Sequence, residues 1–239
     1  MSKNLVIIPT YNEKENIESI LQVVMDLKTS FDVLVVDDGS PDGTAGLVKA
    51  LQQNFPQIHL LERSGKLGLG TAYIAGFKWA LERDYDYIFE MDADFSHKPA
   101  DLERLLEACV NGADMSIGSR YVQGGDVKNW TLDRIILSKG AAIYVNSVLW
   151  LGVKDCTAGF VCYHKSVLQA IDLDKIRFIG YAFQIEMKYT AQKLGFKLAE
   201  VPIAFEDRKL GTSKMSMGIF NEAFTGVWKM RFGKLARKK

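Results

Sequence analysis

Leu5-Val6-Ile7-Ile8-Pro9-Thr10-Tyr11-Asn12-Glu13 is the stretch from which the fold can be read. An unbroken apolar run ending in proline describes a strand buried on both faces, and the polar residues after it describe a loop at its carboxyl end. The same order recurs along the chain. Residues 33–36 lead into Asp37-Asp38-Gly39-Ser40, and residues 87–91 into Asp92-Ala93-Asp94. Apolar runs at 58–61 and 113–117 add two further strands. Helical patterns fill the intervals. Asn12 with Glu15 three residues on predicts a capping box opening a helix whose apolar face is Ile17, Ile20, Leu21, Val24 and Leu27. Further helices are expected up to about residue 54, over 70–82, and from Pro99, which suits a first helical position. Alternating strands and helices predict an α/β domain, a Rossmann-like, mainly parallel sheet flanked by helices on both faces. Such sheets bind ligands at the carboxyl ends of their strands, where the polar clusters fall.

Composition narrows the function. The 239 residues are 48% hydrophobic and 25% charged, which is ordinary for a globular chain. The net charge of +1 argues against a nucleic-acid partner. It also conceals an asymmetry. Six basic residues and no acidic one lie between Lys229 and Lys239, so the remainder holds 24 basic against 29 acidic residues. Cys109, Cys156 and Cys162 are widely spaced with no C-x-x-C, which fits a reduced setting better than a disulfide framework. No stretch reaches 18 uninterrupted apolar residues. The nearest, residues 135–153, contains Lys139, Asn146 and two serines and reads as an amphipathic or buried helix.

Asp92 and Asp94 stand two apart after a strand, with side chains on one side and α-carbons roughly 7 Å apart. Two such carboxylates can hold one hard divalent cation whose shell is completed by substrate phosphates. A pair of solvated turn aspartates is the competing reading of this motif alone. Asp37 or Asp38 can accept hydrogen bonds from a ribose or base edge, while the other caps the turn, and Asp42 can cap the next helix. Residues 63–73 are glycine-rich and basic but match neither G-x-x-x-x-G-K-[ST] nor G-x-G-x-x-G. They can still offer Lys66 and a helix N-terminus to a phosphate. No G-x-S-x-G is present, and His59, His97 and His164 are scattered, so covalent catalysis has no candidate. His97 reads equally well as an exposed turn residue or a functional one.

Seven ordered motifs resemble those of family-2 glycosyltransferases with a GT-A fold, in particular the dolichol- and polyprenol-phosphate mannose synthases. They are Pro9-Thr-Tyr-Asn-Glu13, Asp37-Asp-Gly-Ser-Pro-Asp-Gly-Thr44, Lys66-Leu-Gly-Leu-Gly-Thr-Ala-Tyr73, Met91-Asp-Ala-Asp-Phe-Ser-His97, Gly118-Ser-Arg-Tyr121, Ala158-Gly-Phe160 and Gly180-Tyr-Ala-Phe183. Arg208 and Gly211-Thr-Ser-Lys214 also fit. The resemblance implies GDP-mannose as donor, a dolichyl or polyprenyl phosphate as acceptor, and a lipid-linked mannose that serves later glycosylation. It implies Pro9, Tyr11, Glu13, Asp38 and Lys66 in the nucleotide-sugar pocket. Asp92, Asp94 and Ser96 would hold Mg²⁺ or Mn²⁺, Ser96 standing where some relatives carry Gln. Arg208 and Lys214 would lie over the phosphates. Arg120, Arg134 and Ser138 would hold the acceptor phosphate, with Arg120 and Arg134 joining Asp92 and Asp94 as the catalytic set. Glu186 is the nearest counterpart of the base that relatives use on hydroxyl acceptors.

The catalytic domain is expected to span residues 1–205, with residues 206–239 forming a phosphate-contacting loop and a basic amphipathic C-terminal helix. Ile219, Phe220, Ala223, Phe224, Val227 and Trp228 make an apolar stripe that suits a membrane interface, or equally a helix packed on its own domain. The lipid acceptor implies a peripheral place on the cytoplasmic face of a membrane, held directly or through a small membrane-anchoring protein. A UDP-glucose-dependent transferase of the same fold, a nucleotidyltransferase and a non-catalytic binding module are the alternatives.

Overall fold

The computed structural model describes residues 2–206 and 217–238. In chain order the elements are β1 (Asn4–Thr10), α1 (Ile17–Met25), β2 (Asp32–Asp37), α2 (Thr44–Leu51), β3 (Ile58–Glu62), α3 (Leu69–Leu81), β4 (Tyr87–Glu90), α4 (Asp101–Val110) and β5 (Met115–Ser119). There follow β6 (Asp126–Lys128), α5 (Leu132–Leu149), β7 (Val161–His164), α6 (Lys165–Ala170), α7 (Tyr181–Lys193), β8 (Leu198–Pro202), β9 (Ala204–Glu206) and α8 (Met217–Phe232). The main sheet runs β3-β2-β1-β4-β7-β5-β8, and β6 pairs with β9 alongside it. All neighbours in the main sheet are parallel except at β7, which runs antiparallel to both β4 and β5.

The strand pleat divides the core. Leu5, Ile7, Leu34 and Val36 face a layer that includes Ala72, Tyr73 and Phe77 of α3 and Phe183 of α7. Val6, Ile8, Val33 and Val35 face Ile17, Ile20, Leu21 and Val24 of α1 and Leu102 and Leu105 of α4. Both faces of β1 are therefore buried, as its continuous apolar run requires. Close approach of α3 depends on Gly76, where a Cβ would stand 2.8 Å from the Ile7 side chain.

The predicted start of the first helix is displaced. Asn12 takes a left-handed φ of 59°, and α1 begins five residues later at Ile17. The capping box is replaced by bonds across to the β2–α2 turn. The N–H groups of Asn12, Glu13 and Lys14 donate to Ser40 Oγ (3.0 Å), Thr44 Oγ1 (3.1 Å) and Asp42 Oδ2 (3.0 Å). Asp42 also accepts from the Thr44 N–H at 3.0 Å, the capping role expected of it. Residues 135–153 are mostly helical within α5, but several apolar side chains of this helix point to solvent. The antiparallel β7 and the short β6–β9 ladder join strands distant in sequence and have no local signature. Near the C-terminus Val227 and Met230 of α8 are buried, while Trp228 and Phe232 are exposed. The other four members of the predicted stripe, Ile219, Phe220, Ala223 and Phe224, fall where side chains lie outside the described residues.

Candidate active site

The first two strand ends are bonded into one surface. Asp37 is the turn residue of its pair, for its carboxylate takes the hydroxyls of Thr10 (2.9 Å) and Ser40 (2.6 Å) and the Ser40 N–H (2.8 Å). Asp38 instead reaches the loop after β3. Arg63 Nε lies 2.8 Å from its Oδ1, and the Leu67 N–H donates to Oδ2 at 3.2 Å. Arg63 is also held by Thr71 Oγ1 at 2.8 Å. This loop carries Lys66, whose Nζ stands 4.9 Å from the centre of the Tyr11 ring. Pro9, half-buried, precedes them on β1, and Glu13 accepts from Asn16 Nδ2 at 3.1 Å. The predicted nucleotide residues Pro9, Tyr11, Glu13, Asp38 and Lys66 thus belong to three adjoining strand ends.

The Asp pair follows β4, next to β1. Asp94 is buried, and its Oδ1 accepts the Ser96 N–H at 3.0 Å. Between them Phe95 adopts a φ of 60°, a left-handed conformation that a bulky residue holds only under constraint. Ser96 is 2% exposed, and its Oγ has no hydrogen-bond partner among the described residues. Asp92 is more open, with its side chain 39% exposed. His97 is buried rather than exposed. It stacks on Phe160 (4.8 Å between centroids), meets Phe205 edge-on, and places Nδ1 3.5 Å from the Asp92 N. Burial pushes its titration down to about 4, so it is neutral near pH 7.

Beneath the pair lies a buried polar layer that the sequence did not announce. The Tyr73 hydroxyl, fully buried, is raised well above its ordinary range by burial and by the carboxylates of Asp92, Glu90 and Asp94. Glu90 accepts from Tyr163 at 2.8 Å and from Gln184, and burial lifts its carboxyl to about 7. Lys188, also fully buried, donates to the Ala158 carbonyl at 2.6 Å and to Gln184, and burial lowers it to about 8.

Arg120 follows β5. Its Nε (2.7 Å) and Nη2 (2.6 Å) form a bidentate pair with Asp155, whose side chain is fully buried. The guanidinium also lies 5.3 Å from the Trp130 ring centre and 5.5 Å from that of Phe205. Arg134, on the first turn of α5, stands 4.0 Å from the same Trp130 ring. One turn on, Ser138 Oγ meets the Tyr121 hydroxyl at 2.6 Å. The predicted acceptor residues Arg120, Arg134 and Ser138 are therefore gathered around Tyr121 and Trp130. Phe205 touches both this aromatic cluster and His97 beside the Asp pair. Glu186 is engaged elsewhere, accepting the N–H groups of Arg177 (2.8 Å) and Phe178 (3.1 Å). Arg208 and Lys214 lie outside the described residues. Asp155, Trp130, Tyr73 and Lys188 were missed, since none sits in a spacing that marks chemistry.

Over 240 residues the chain is 48% identical to a polyprenol monophosphomannose synthase of Mycolicibacterium smegmatis, covering 99% of this chain and 90% of the relative. It is 49% identical over 233 residues to an undecaprenyl-phosphate mannosyltransferase of Micrococcus luteus, covering 98% and 95%. Among solved structures, a mannosyltransferase from Pyrobaculum calidifontis in complex with GDP-Man and Mn²⁺ shares the fold. Its TM-score is 0.63 at 15% identity, over 96% of this chain and 63% of that one. The family model for glycosyl transferase family 2 matches residues 5–172, from β1 past the Asp pair and the Arg120 cluster into the segment after α6. The strand ends, the Asp pair and the match extending over most of the chain have one reading: the chain belongs to glycosyl transferase family 2.

Proposed function

We propose that this chain transfers mannose from GDP-mannose to a dolichyl or polyprenyl phosphate, inverting the anomeric centre. The observation that carries the reading is near-full-length identity of 48% and 49% to two enzymes named for polyprenyl-phosphate mannosylation. Both alignments extend well beyond the family model, through the residues that follow position 172.

Pro9, Tyr11, Glu13, Asp38 and Lys66 bind the nucleotide sugar, joined by Arg208 and Lys214. The donor set suits Mg²⁺ or Mn²⁺. Asp92 and Asp94 supply hard oxygen ligands, and the buried Ser96 hydroxyl, without a partner among the described residues, is a third oxygen beside them. When bound, the cation stabilises negative charge on the departing diphosphate. Arg120, Arg134 and Ser138 hold the acceptor phosphate; Asp155 occupies the Nε–Nη2 edge of Arg120, which contributes its charge to the phosphate oxygens. Asp155 and the Trp130 ring fix the two guanidinium planes in advance, which favours a preorganised site. An acceptor oxygen bonds to the anomeric carbon as the bond to the GDP oxygen breaks, and the electron pair leaves with GDP. That oxygen is already ionised near pH 7, so no general base is needed. Glu186, engaged by the 177–178 backbone, is not called on as one.

We assign catalysis to residues 1–205, and to residues 206–239 a phosphate-contacting loop and a basic membrane-associating segment, at the cytoplasmic face of a membrane, directly or beside a small anchoring protein. No helix of the described residues is long and apolar enough to cross a membrane. The test is a panel of labelled sugar nucleotides incubated with polyprenyl phosphate, followed by solvent extraction. Labelled lipid from GDP-mannose, with release of GDP, is the expected outcome. Lipid product from UDP-glucose alone overturns the donor, and released pyrophosphate overturns the reaction class.

A further inference from the structure

Ala158-Gly159-Phe160 takes no part in the transfer step, yet a charged group holds this motif from inside the core. Lys188 of α7 is fully buried, and its Nζ donates to the Ala158 carbonyl at 2.6 Å. Its other two protons go to Gln184, at Oε1 (3.2 Å) and at the main-chain carbonyl (3.3 Å). Three acceptors match the three protons of an ammonium group, whereas a neutral amine would set one of them against a lone pair. Burial lowers this amine to about 8, and the charges of Glu90 and Asp155 oppose the shift, so it is cationic near pH 7. A lysine in a core is costly unless it is bonded and paired, so its presence calls for a reason.

The reason lies in the turn that Ala158 closes. The Ala158 N–H donates to the Asp155 carbonyl at 3.3 Å, which folds residues 155–158 back on themselves. This turn supplies the side chains that bond Arg120. Asp155 takes Nε and Nη2, and Thr157 Oγ1 takes Nη2 at 3.1 Å. Glu200, on the edge strand β8, fixes the start of the turn through the Asp155 N–H at 2.9 Å. Lys188 fixes its end. Gln184 stands between Lys188 and Glu90. Because Lys188 can only donate, Gln184 turns Oε1 to it and Nε2 to Glu90. A bare counter-charge for Glu90 would act on the cation side of the site, under Asp92 and Asp94, whereas a clamp on Ala158 acts on the side of Arg120.

We propose that Lys188 is a positioning residue for the acceptor: by clamping the end of the 155–158 turn, it holds Asp155 and Thr157 where they present the charge of Arg120 to the acceptor phosphate. This rests on the mannosyltransferase reading above, which assigns Arg120 to that phosphate. Lys188 itself touches neither substrate and acts through the turn.

Lys188→Met roughly keeps the reach of the side chain and removes its charge and its donors. Lys188→Gln, the milder change, keeps an N–H donor without the charge and is read if the methionine variant does not fold. With GDP-mannose saturating, KM for a short-chain, water-soluble polyprenyl phosphate is expected to rise about tenfold in Lys188→Met and a few-fold in Lys188→Gln, with kcat within about twofold of the parent. Affinity for Mn²⁺ and GDP, measured by titration calorimetry, should stay at the parent's value. In a chain carrying isotope-labelled arginine, the NMR signal of the Arg120 Nε–H is identified by its absence from Arg120→Lys. This proton should exchange with solvent about tenfold faster in Lys188→Met, while the amides of β1 stay protected. An unchanged acceptor KM in both variants overturns the proposal, as does an unchanged Arg120 exchange rate. So does a loss of Mn²⁺ and GDP affinity as large as the loss for the acceptor, which would make Lys188 a counter-charge to Glu90. If the parent makes no mannosyl lipid from GDP-mannose, the functional reading fails, while the Arg120 exchange rate still judges the clamp.

Discussion

Asp94 and Tyr73 separate two kinds of contribution at the scale of single residues. Asp94 is assigned to the cation in the proposed mechanism, so Asp94→Ala is expected to abolish transfer while leaving the thermal midpoint within a few degrees of the parent. Full activity in that variant would contradict a metal-dependent mechanism. Tyr73 is fully buried behind the pair, its hydroxyl near the carboxylates of Asp92, Glu90 and Asp94. Tyr73→Phe preserves the ring stacked 6.1 Å from Phe183 and removes only that hydroxyl. Mn²⁺ affinity is expected to fall by a few-fold, since the hydroxyl has no hydrogen-bond partner among the described residues to lose and acts only through its dipole near the carboxylates. Titration calorimetry with Mn²⁺ and GDP measures it, and unchanged affinity would reduce Tyr73 to a packing residue. His97 makes a prediction about pH. Burial holds its folded value at about 4, below the ordinary 6.5. The neutral ring therefore contributes stability that is complete above pH 6.5 and is lost as pH falls through 4. The integrated effect is of the order of 3 kcal/mol, from 1.36 kcal/mol per unit. Urea unfolding in chelator between pH 7 and 4 should show this slope, and His97→Leu should flatten it.

At the scale of elements, legibility follows how local the determining interactions are. The strand ends at Pro9, Asp37 and Asp92 were readable because an apolar run and a polar cluster are adjacent in sequence. The start of α1 was not, because the groups that satisfy the N–H groups of residues 12–14 come from Ser40, Asp42 and Thr44 on the next loop. Burial of His97 was hidden for the same reason, since Phe160 and Phe205 enclose it from distant segments. The outward side of α5 was hidden because apolar residues populate both of its flanks, and only packing shows which flank the domain takes. Asp155 is the clearest loss, as nothing near it in sequence marks it as the partner of Arg120, 35 positions away. Its importance is nonetheless testable. Asp155→Ala leaves the Arg120 guanidinium buried without an anion and is expected to cost about 3–5 kcal/mol. Asp155→Ala combined with Arg120→Met should recover part of that stability but none of the acceptor use. Full stability in the single variant would mean that water replaces the carboxylate.

On the scale of the whole molecule, the net charge of +1 is a sum over unlike surfaces. Acidic strand ends gather the residues assigned to cation and nucleotide, and the basic residues after Thr225 stand beside the outward face of α5. Sequence alone could not say whether α8 is part of the domain or a free tail, and packing makes it both. Val227, Met230 and Ala236 are buried, and the Ile171 strand bridge reaches Arg237, while Lys229, Lys234 and Lys238 stay exposed. Deleting residues 229–239 would consequently open the core and confuse unfolding with lost binding. Charge removal is the cleaner experiment. Replacing Lys229, Lys234 and Lys238 with Gln should leave the thermal midpoint and transfer to a soluble acceptor nearly unchanged. Each of these cations near an anionic leaflet is worth about 1 kcal/mol, so affinity for phosphatidylglycerol vesicles should fall about a hundredfold at low salt. The gap between parent and variant should narrow as salt rises, because the screening length shrinks from about 30 Å at 0.01 M to about 3 Å at 1 M.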